Sequence, residues 1–296
     1  MKKAVFLPVL VLFFAMLFSQ TVNANMAAPE PADIGSSITF EKNDSISVLS
    51  EVLDITVHGS KADIVATYQM RNASDEKISV KSMFLSPNIE DSGVRVTAGG
   101  RELSFTAESY VLEYDTEIET NDWKYAVLSE KAESPDDGRT VDCITFGMDF
   151  APHEEYDVVV SYTYRLGGYP EYDTNVKEGE IEYYLAPAAM WKDFGGLTIN
   201  LYLDKDMPVI SRSNLEFEKT GARTYRYVSD TLPEENLKIT IDENWFQNMI
   251  STLRNPYGIL MLLVFSPFIL IFVAIIVLLV WFFHRRRKAK RQRNGN

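Results

Sequence analysis

Hydrophobic and polar positions along this chain follow a period of two far more often than a helical period. Short runs rich in Val, Ile, Thr, Tyr and Phe recur between polar or Gly-containing breaks. They predict strands over 37–41, 46–57, 62–71, 77–86, 94–97, 102–106, 140–149, 156–166, 181–186, 197–203, 215–219, 223–229 and 237–242. In "TVDCITF" the alternation sets Val141, Cys143 and Thr145 on one face and Ile144 and Phe146 on neighbouring positions. "VATYQMRNASDEKISVKSMF" reads as two strands turning at 72–75, and "LEFEKTGARTYRYV" as a hairpin turning around 220–222. Because no ten-residue helices separate the strands, the pattern predicts a mainly β, antiparallel β-sandwich-like ectodomain, built as one large or two packed lobes. The turn-rich "GGYPEYDTNVKEG" at 167–179 is the expected boundary between a first lobe, 36–166, and a second, 180–243.

Three stretches depart from this texture. Residues 107–137 form an acidic insertion, ten acids against Lys124 and Lys131, of which 121–132 is expected to make a short helix. The segment 244–257 is mildly amphipathic, with Trp245, Phe246, Met249, Ile250 and Leu253 available for one face, and it predicts a short helix or linker. The third is the run 258–283, which has no charged side chain over 26 residues, against about 20 needed to cross a bilayer. As a helix it would measure roughly 39 Å, long enough to tilt or bend, and Pro267 offers a place to bend. Tyr257 and Trp281 near its two ends suit the headgroup belts.

Charge then fixes the expected topology. The tail 284–296 carries seven Lys and Arg and no acid, which marks the cytoplasmic side of a span and suits anionic lipid on the inner face. The other end, 1–24, has Lys2 and Lys3, the apolar stretch 4–18, and Val22 and Ala24 before a cut at Asn25, the pattern of an exported signal peptide. No Cys follows that stretch, so a lipoprotein is not expected. After a linker, 25–35, everything up to the span lies outside the plasma membrane. That exported part holds all 42 acids and 20 of the 29 bases, a net charge of −22, which excludes a nucleic-acid-binding surface. Its roughly 233 residues are enough for a full core without disulfides. The single cysteine, Cys143, is read as a small buried hydrophobe.

Sequence motifs for chemistry are sparse. Outside the tail the histidines are His58 and His153, with no second His or Cys at zinc-ligand spacing and no H-E-x-x-H. There is no G-x-S-x-G, phosphate loop or dinucleotide fingerprint, so no cofactor is expected. "EYDTNVKEGE" at 171–180 fails as an EF-hand because Lys177 and Glu178 stand where an oxygen ligand and Gly are wanted; a looser calcium site from Asp136, Asp137, Glu171 and Asp173 reads better as solvated loop charge. Paired carboxylates can hydrolyse glycans, but so many acids make any one pair a weak signal. Trp123, Tyr125, Tyr169 and Tyr172 can stack on sugars or pack, and packing is the plainer reading, as it is for Trp191. The acidic insertion resists burial, since an unpaired carboxylate removed from water costs several kcal/mol. Its Glu113, Asp115, Glu117, Glu119, Trp123 and Tyr125 are therefore the candidate partner-binding residues, charge setting the encounter and rings the residence time.

"GSSITFEKNDSISVLSEVLDITV", "ATYQMRNASDEKISVKSMFLSP", "YYLAPAAMWKDFGGLTINLYL" and "FEKTGARTYRYVSDTLPEENLKITI", over roughly residues 34–242, resemble an uncharacterised family of exported bacterial β-rich proteins, a domain of unknown function. The shared marks are the K-N-D-x-I start with Ser50-Glu51, the Asn72 turn, Trp191 before a Gly-Gly-started strand and the N-L-x-I-x-I closing strand. The resemblance implies an extracytoplasmic β module and carries over no functional residue. The sequence thus leads to the expectation of a single-pass envelope protein serving binding, assembly or sensing through an envelope protein or polymer. The alternative is a surface hydrolase of cell-wall glycan or peptide working through clustered carboxylates.

Overall fold

The computed structural model describes residues 28–29, 37–41, 43–90, 93–112, 124–131, 140–170, 176–233, 235–255 and, beyond these, 257, 259–260, 263–267, 271–272, 274–279 and 281–282. The signal segment 1–24, most of the linker 25–35 and the basic tail 284–296 lie outside the described residues. The strands are β1 Ala28–Pro29, β2 Ser37–Glu41, β3 Ile46–His58, β4 Lys61–Asn72, β5 Ile78–Ser86, β6 Arg95–Ala98, β7 Arg101–Glu102, β8 Phe105–Leu112, β9 Lys124–Lys131, β10 Thr140–Phe150, β11 Glu155–Arg165, β12 Glu178–Tyr183, β13 Leu197–Tyr202, β14 Val209–Ser213, β15 Glu218–Lys219, β16 Thr224–Ser229 and β17 Leu237–Asp242. They form an eight-stranded sheet in the order β15-β16-β13-β3-β4-β11-β6-β7, a six-stranded sheet β1-β2-β9-β8-β10-β5, and a three-stranded sheet β12-β17-β14. The protein is mainly β, as the period-two pattern predicts.

Alternation builds the core of the large sheet. Along β4 the inward positions Ala62, Ile64, Ala66, Tyr68 and Met70 are fully buried, and β3 answers with Leu53, Ile55 and Val57. The two strands are joined by a tight turn in which Gly59 takes φ +60°, a conformation that suits glycine, with its N–H donated to Asp204 (2.9 Å). Facing this sheet are Phe84 of β5, Ile144, Phe146 and Met148 of β10, and Ile181, Tyr183, Ile239 and Ile241 of the three-stranded sheet, in one apolar cluster. Polar groups cross it in pairs. Tyr183 donates to the buried Glu51 (2.9 Å), which leaves Tyr68 to donate to Tyr183 (2.8 Å), and Ser86 meets Tyr162 (2.9 Å). Phe84 sits edge-on to Tyr162 with ring centroids 5.4 Å apart. The other face of β5 and β10 is also buried, at Met83, Leu85, Val141 and Cys143, which is why "TVDCITF" has little polar alternation.

Several expectations are corrected. The strands on either side of 72–75 turn there but do not pair: β4 lies in the eight-stranded sheet and β5 in the six-stranded one. Asn72 holds this corner. Its amide donates to the carbonyls of Glu76 (2.7 Å) and Ala151 (3.0 Å) and its oxygen accepts from Ser74 N–H (2.9 Å), tying it to the corner where β10 passes over to β11. The 167–179 stretch does not separate two sheets. Past it, β13 inserts between β3 and β16 and runs parallel to β3, where all-antiparallel pairing was expected, with Leu197 opposite Glu51 and Tyr202 opposite Thr56. Gly195 makes the insertion possible, since a Cβ there would lie 2.1 Å from the Leu49 carbonyl oxygen. The helix expected over 121–132 is instead β9, which pairs with β2 and β8. The strand expected at 102–106 divides between β7 and β8, and β14 has no counterpart in the pattern. The hairpin around 220–222 is formed by β15 and β16.

Residues up to Tyr169 and Glu178–Asp242 make one compact unit; 170–177 and 243 onward make another. The second unit contains the helix α1, Trp245–Arg254, within the expected 244–257 segment. Among the described residues no helix is long and apolar enough to cross a membrane. Residues 258, 261–262, 268–270, 273, 280 and 283 of the expected span lie outside the described ones. The described residues of that stretch, Pro267 among them, are helical.

Candidate functional site

The short hairpin β6–β7 turns through Gly99 and Gly100, both at positive φ (+56° and +76°), and brings Arg101 to the rim of an open cleft. Opposite it runs β5, an edge strand, whose Ser79, Val80 and Lys81 pair with Asp149, Met148 and Gly147 of β10. The cleft between them has a volume of about 760 Å³ and an apolar floor of Val80, Ala98, Leu103, Met148 and Tyr156. Tyr156 is held flat against Phe150, with centroids 4.3 Å apart and planes 5° from parallel, and donates to the Asp149 carbonyl (2.9 Å). Burial, and then the charges of Glu154 and Asp149, push its phenol well above the usual tyrosine range.

The rim carries charge of both signs with unequal commitments. Asp149 accepts from Ser79 and from Lys77 (3.0 Å), and these bonds hold its carboxyl below the usual aspartate range. Glu154 accepts from the Ala151 N–H (2.7 Å). Lys81 and Arg101 have no ion pair among the described residues, so two cations flank an apolar floor. Such a cleft can hold an apolar chain with an anionic or carbonyl-bearing end. A second depression, of about 530 Å³, on the three-stranded sheet is rimmed by Lys238, which meets Glu182 at 3.8 Å, and by Arg212, which meets Glu178 at 3.8 Å, both solvated pairs.

Of the residues singled out from the sequence, Glu113, Asp115, Glu117, Glu119 and Trp123 lie outside the described residues, as do Asp136, Asp137, Glu171, Tyr172 and Asp173. Tyr125 lies in β9 opposite Thr39 of β2. The frame of the insertion is described: β8 and β9 pair antiparallel, Tyr110 opposite Lys131 and Leu112 opposite Leu128, so 113–123 connects the two strands of a hairpin. His58 and His153 are exposed and lie apart, His58 by Asp63 (3.4 Å) and His153 by Asp75 (2.9 Å). Among the described residues no three His, Cys, Asp or Glu side chains gather to hold a metal ion. Cys143 is buried, and burial followed by the charges of Asp142 and Glu108 pushes its thiol well up, opposite to a reactive thiolate. Trp191 is buried in the core. The cleft itself escaped the sequence reading because its residues come from five separate elements; the "AGGRE" turn was its one local sign.

No protein-family model matches the chain, and no curated protein does. Among solved structures, a candidate nutrient-binding protein from Legionella pneumophila superposes with a TM-score of 0.46 and 14% identity, over 78% of this chain and 75% of its own. Yeast LTA4 hydrolase, solved with bestatin, gives 0.35 and 12% over 72% of this chain and 31% of its own. The M1 zinc metallopeptidase of Deinococcus radiodurans gives 0.33 and 10% over 69% and 43%. The chain spans less than half of either enzyme, and likenesses of this size assign no activity to it.

Proposed function

We propose that the protein is a single-pass, membrane-anchored β-sandwich-like module on the outer side of the plasma membrane, whose work is binding or assembly and not catalysis. The observation that carries this reading is the apolar character of the C-terminal stretch. Its described residues are helical and display Ile259, Leu260, Leu263, Val264, Phe265, Ile271 and Phe272 to the surroundings, a helix apolar on every side, which a bilayer covers and water does not. The seven-charge tail supports an inward C-terminus, with anionic lipid beneath it, and the resemblance to exported β-rich proteins points the same way. Contacts with an envelope protein or polymer fall to the acidic β8–β9 connection, with Glu113, Asp115, Glu117, Glu119, Trp123 and Tyr125, and to the cleft beside Lys81 and Arg101.

The test is protease accessibility on intact cells or protoplasts of a chain tagged after Asn296. Residues 25–257 should be digested and the tag protected. A digested tag with a protected β body would reverse the orientation, and release of the whole chain into the medium would remove the anchor.

A further inference from the structure

Helix α1 leaves its apolar side exposed and ties its polar side to its own N-terminal cap. Trp245 is 79% exposed and Phe246 57%, and Met249 and Leu253 are exposed too. At 100° per residue, Trp245, Phe246, Met249, Ile250 and Leu253 fall within an arc of about 140°. The opposite side is spoken for by hydrogen bonds. Asn244 accepts from the N–H groups of Phe246 and Gln247 (3.0 Å each), Gln247 returns a bond to the Asn244 N–H (3.1 Å), and Ser251 donates to Glu243 (2.8 Å). A soluble helix would bury the other face.

The end of α1 is equally specific. Asn255 leaves the helical conformation (ψ 126°), yet its side chain accepts from Tyr257 N–H (3.0 Å) and its carbonyl accepts from Ile259 N–H (3.1 Å). It therefore closes α1 and caps the start of the apolar helical stretch, and Pro256, next in sequence, suits the first position of a new helix. The two helices are separate, so α1 need not follow the axis of the stretch beyond it. As a straight extension its ten residues would rise about 15 Å, past an interfacial layer some 5–7 Å deep on each side.

We infer that α1 lies along the outer leaflet of the membrane, with Trp245, Phe246, Met249, Ile250 and Leu253 immersed at the headgroup boundary and Asn255 as the corner between the surface helix and the spanning one. This rests on the anchoring reading above. Lipid is the occupant because the apolar face continues, after the three residues 255–257, into the apolar stretch. Trp245 and the 77%-exposed Tyr257 bracket it with the ring types that favour the interface, and its only charged residue is Arg254.

The experiment uses the full chain in phosphatidylcholine liposomes, with buried Cys143 left in place and single cysteines introduced as Phe246→Cys, Met249→Cys, Asn248→Cys, Ser251→Cys and Phe272→Cys, each carrying an environment-sensitive fluorophore. Lipids brominated near the headgroup should quench the label about twofold or more at 246 and 249 and leave 248 and 251 unchanged, while deeply brominated lipids quench at 272. Quenching at 272 with 246 no different from 248 leaves the anchor standing and overturns the surface helix. Loss of quenching at all five positions overturns both. A disulfide between copies through Met249→Cys, without lipid quenching there, makes the occupant a second copy and overturns the lipid assignment.

Discussion

Tyrosine hydroxyls buried between the sheets make the core sensitive to alkali. Burial pushes the phenol of Tyr164 up to about 12 from its ordinary 10.0, partly offset by the bond it accepts from Glu182 N–H, and Tyr162 and Tyr183 shift upward for the same first cause. The folded state thus holds protons that the unfolded chain gives up above pH 10, so the stabilisation is complete below pH 10 and is lost as pH rises towards 12. Two units at Tyr164 amount to about 2–3 kcal/mol. Unfolding free energy measured by urea titration should therefore fall between about pH 10 and about pH 12, and Tyr164→Phe should flatten that fall. An unchanged slope in the variant would mean that Tyr164 is not among the groups that hold their protons. At this scale the sequence was informative where a residue's role is local. Asn72 reads as a turn former because its side chain closes on its own backbone, and Cys143 and Trp191 read as core from their apolar neighbours. What the sequence could not say is that Asn72 also reaches Ala151, 79 positions away, or that Glu51 lies in the core beneath Tyr183.

Strands reveal themselves through their own faces, whereas their partners do not. β4 and β11 alternate cleanly, and they, with β3 and β17, were legible to within a residue or two. β9 was not, because "KYAVLSEK" is built largely of good helix formers and becomes a strand through its pairing with β2 and β8. The parallel placement of β13 left only the trace of Gly195 and Gly196. Gly195→Ala forces a methyl to 2.1 Å from the Leu49 oxygen, a backbone atom of the neighbouring strand that cannot step aside alone. The substitution should lower stability by about 3 kcal/mol. Gly147→Ala, where a Cβ meets nothing within 4 Å, serves as the control and should leave the thermal midpoint of the detergent-solubilised chain almost unchanged. Equal midpoints for the two variants would show that β13 can shift away from β3 without loss.

Across the whole molecule, the two halves expected from the 167–179 break share one sheet. Fragment 36–166 lacks β13, β16 and the three-stranded sheet, which takes Leu197, Ile199, Ile239 and Ile241 out of the shared apolar cluster and Tyr183 from Tyr68; 180–243 lacks the strands that supply the rest of that cluster. Neither fragment should show cooperative thermal unfolding, whereas 36–243 should. Cooperative melting of 36–166 alone would restore the two-lobe division. The cleft likewise belongs to the whole fold, since β5, β6, β7, β10 and β11 meet there only after both sheets have formed.

The parallel strand β13 also sets a timetable. Asn200 bonds Asp54 across 146 residues, and until β13 arrives the edge of β3 has no neighbour on that side. At ordinary translation speeds the ribosome needs on the order of ten seconds to make the intervening chain. Through that interval a long strand rich in Val, Leu and Ile stands with one row of backbone donors and acceptors open, a template for pairing with any other strand nearby. Covering the open edge of β3 is therefore a late event that follows synthesis of residues 197–202, and a chaperone guarding this chain has one particular place to cover.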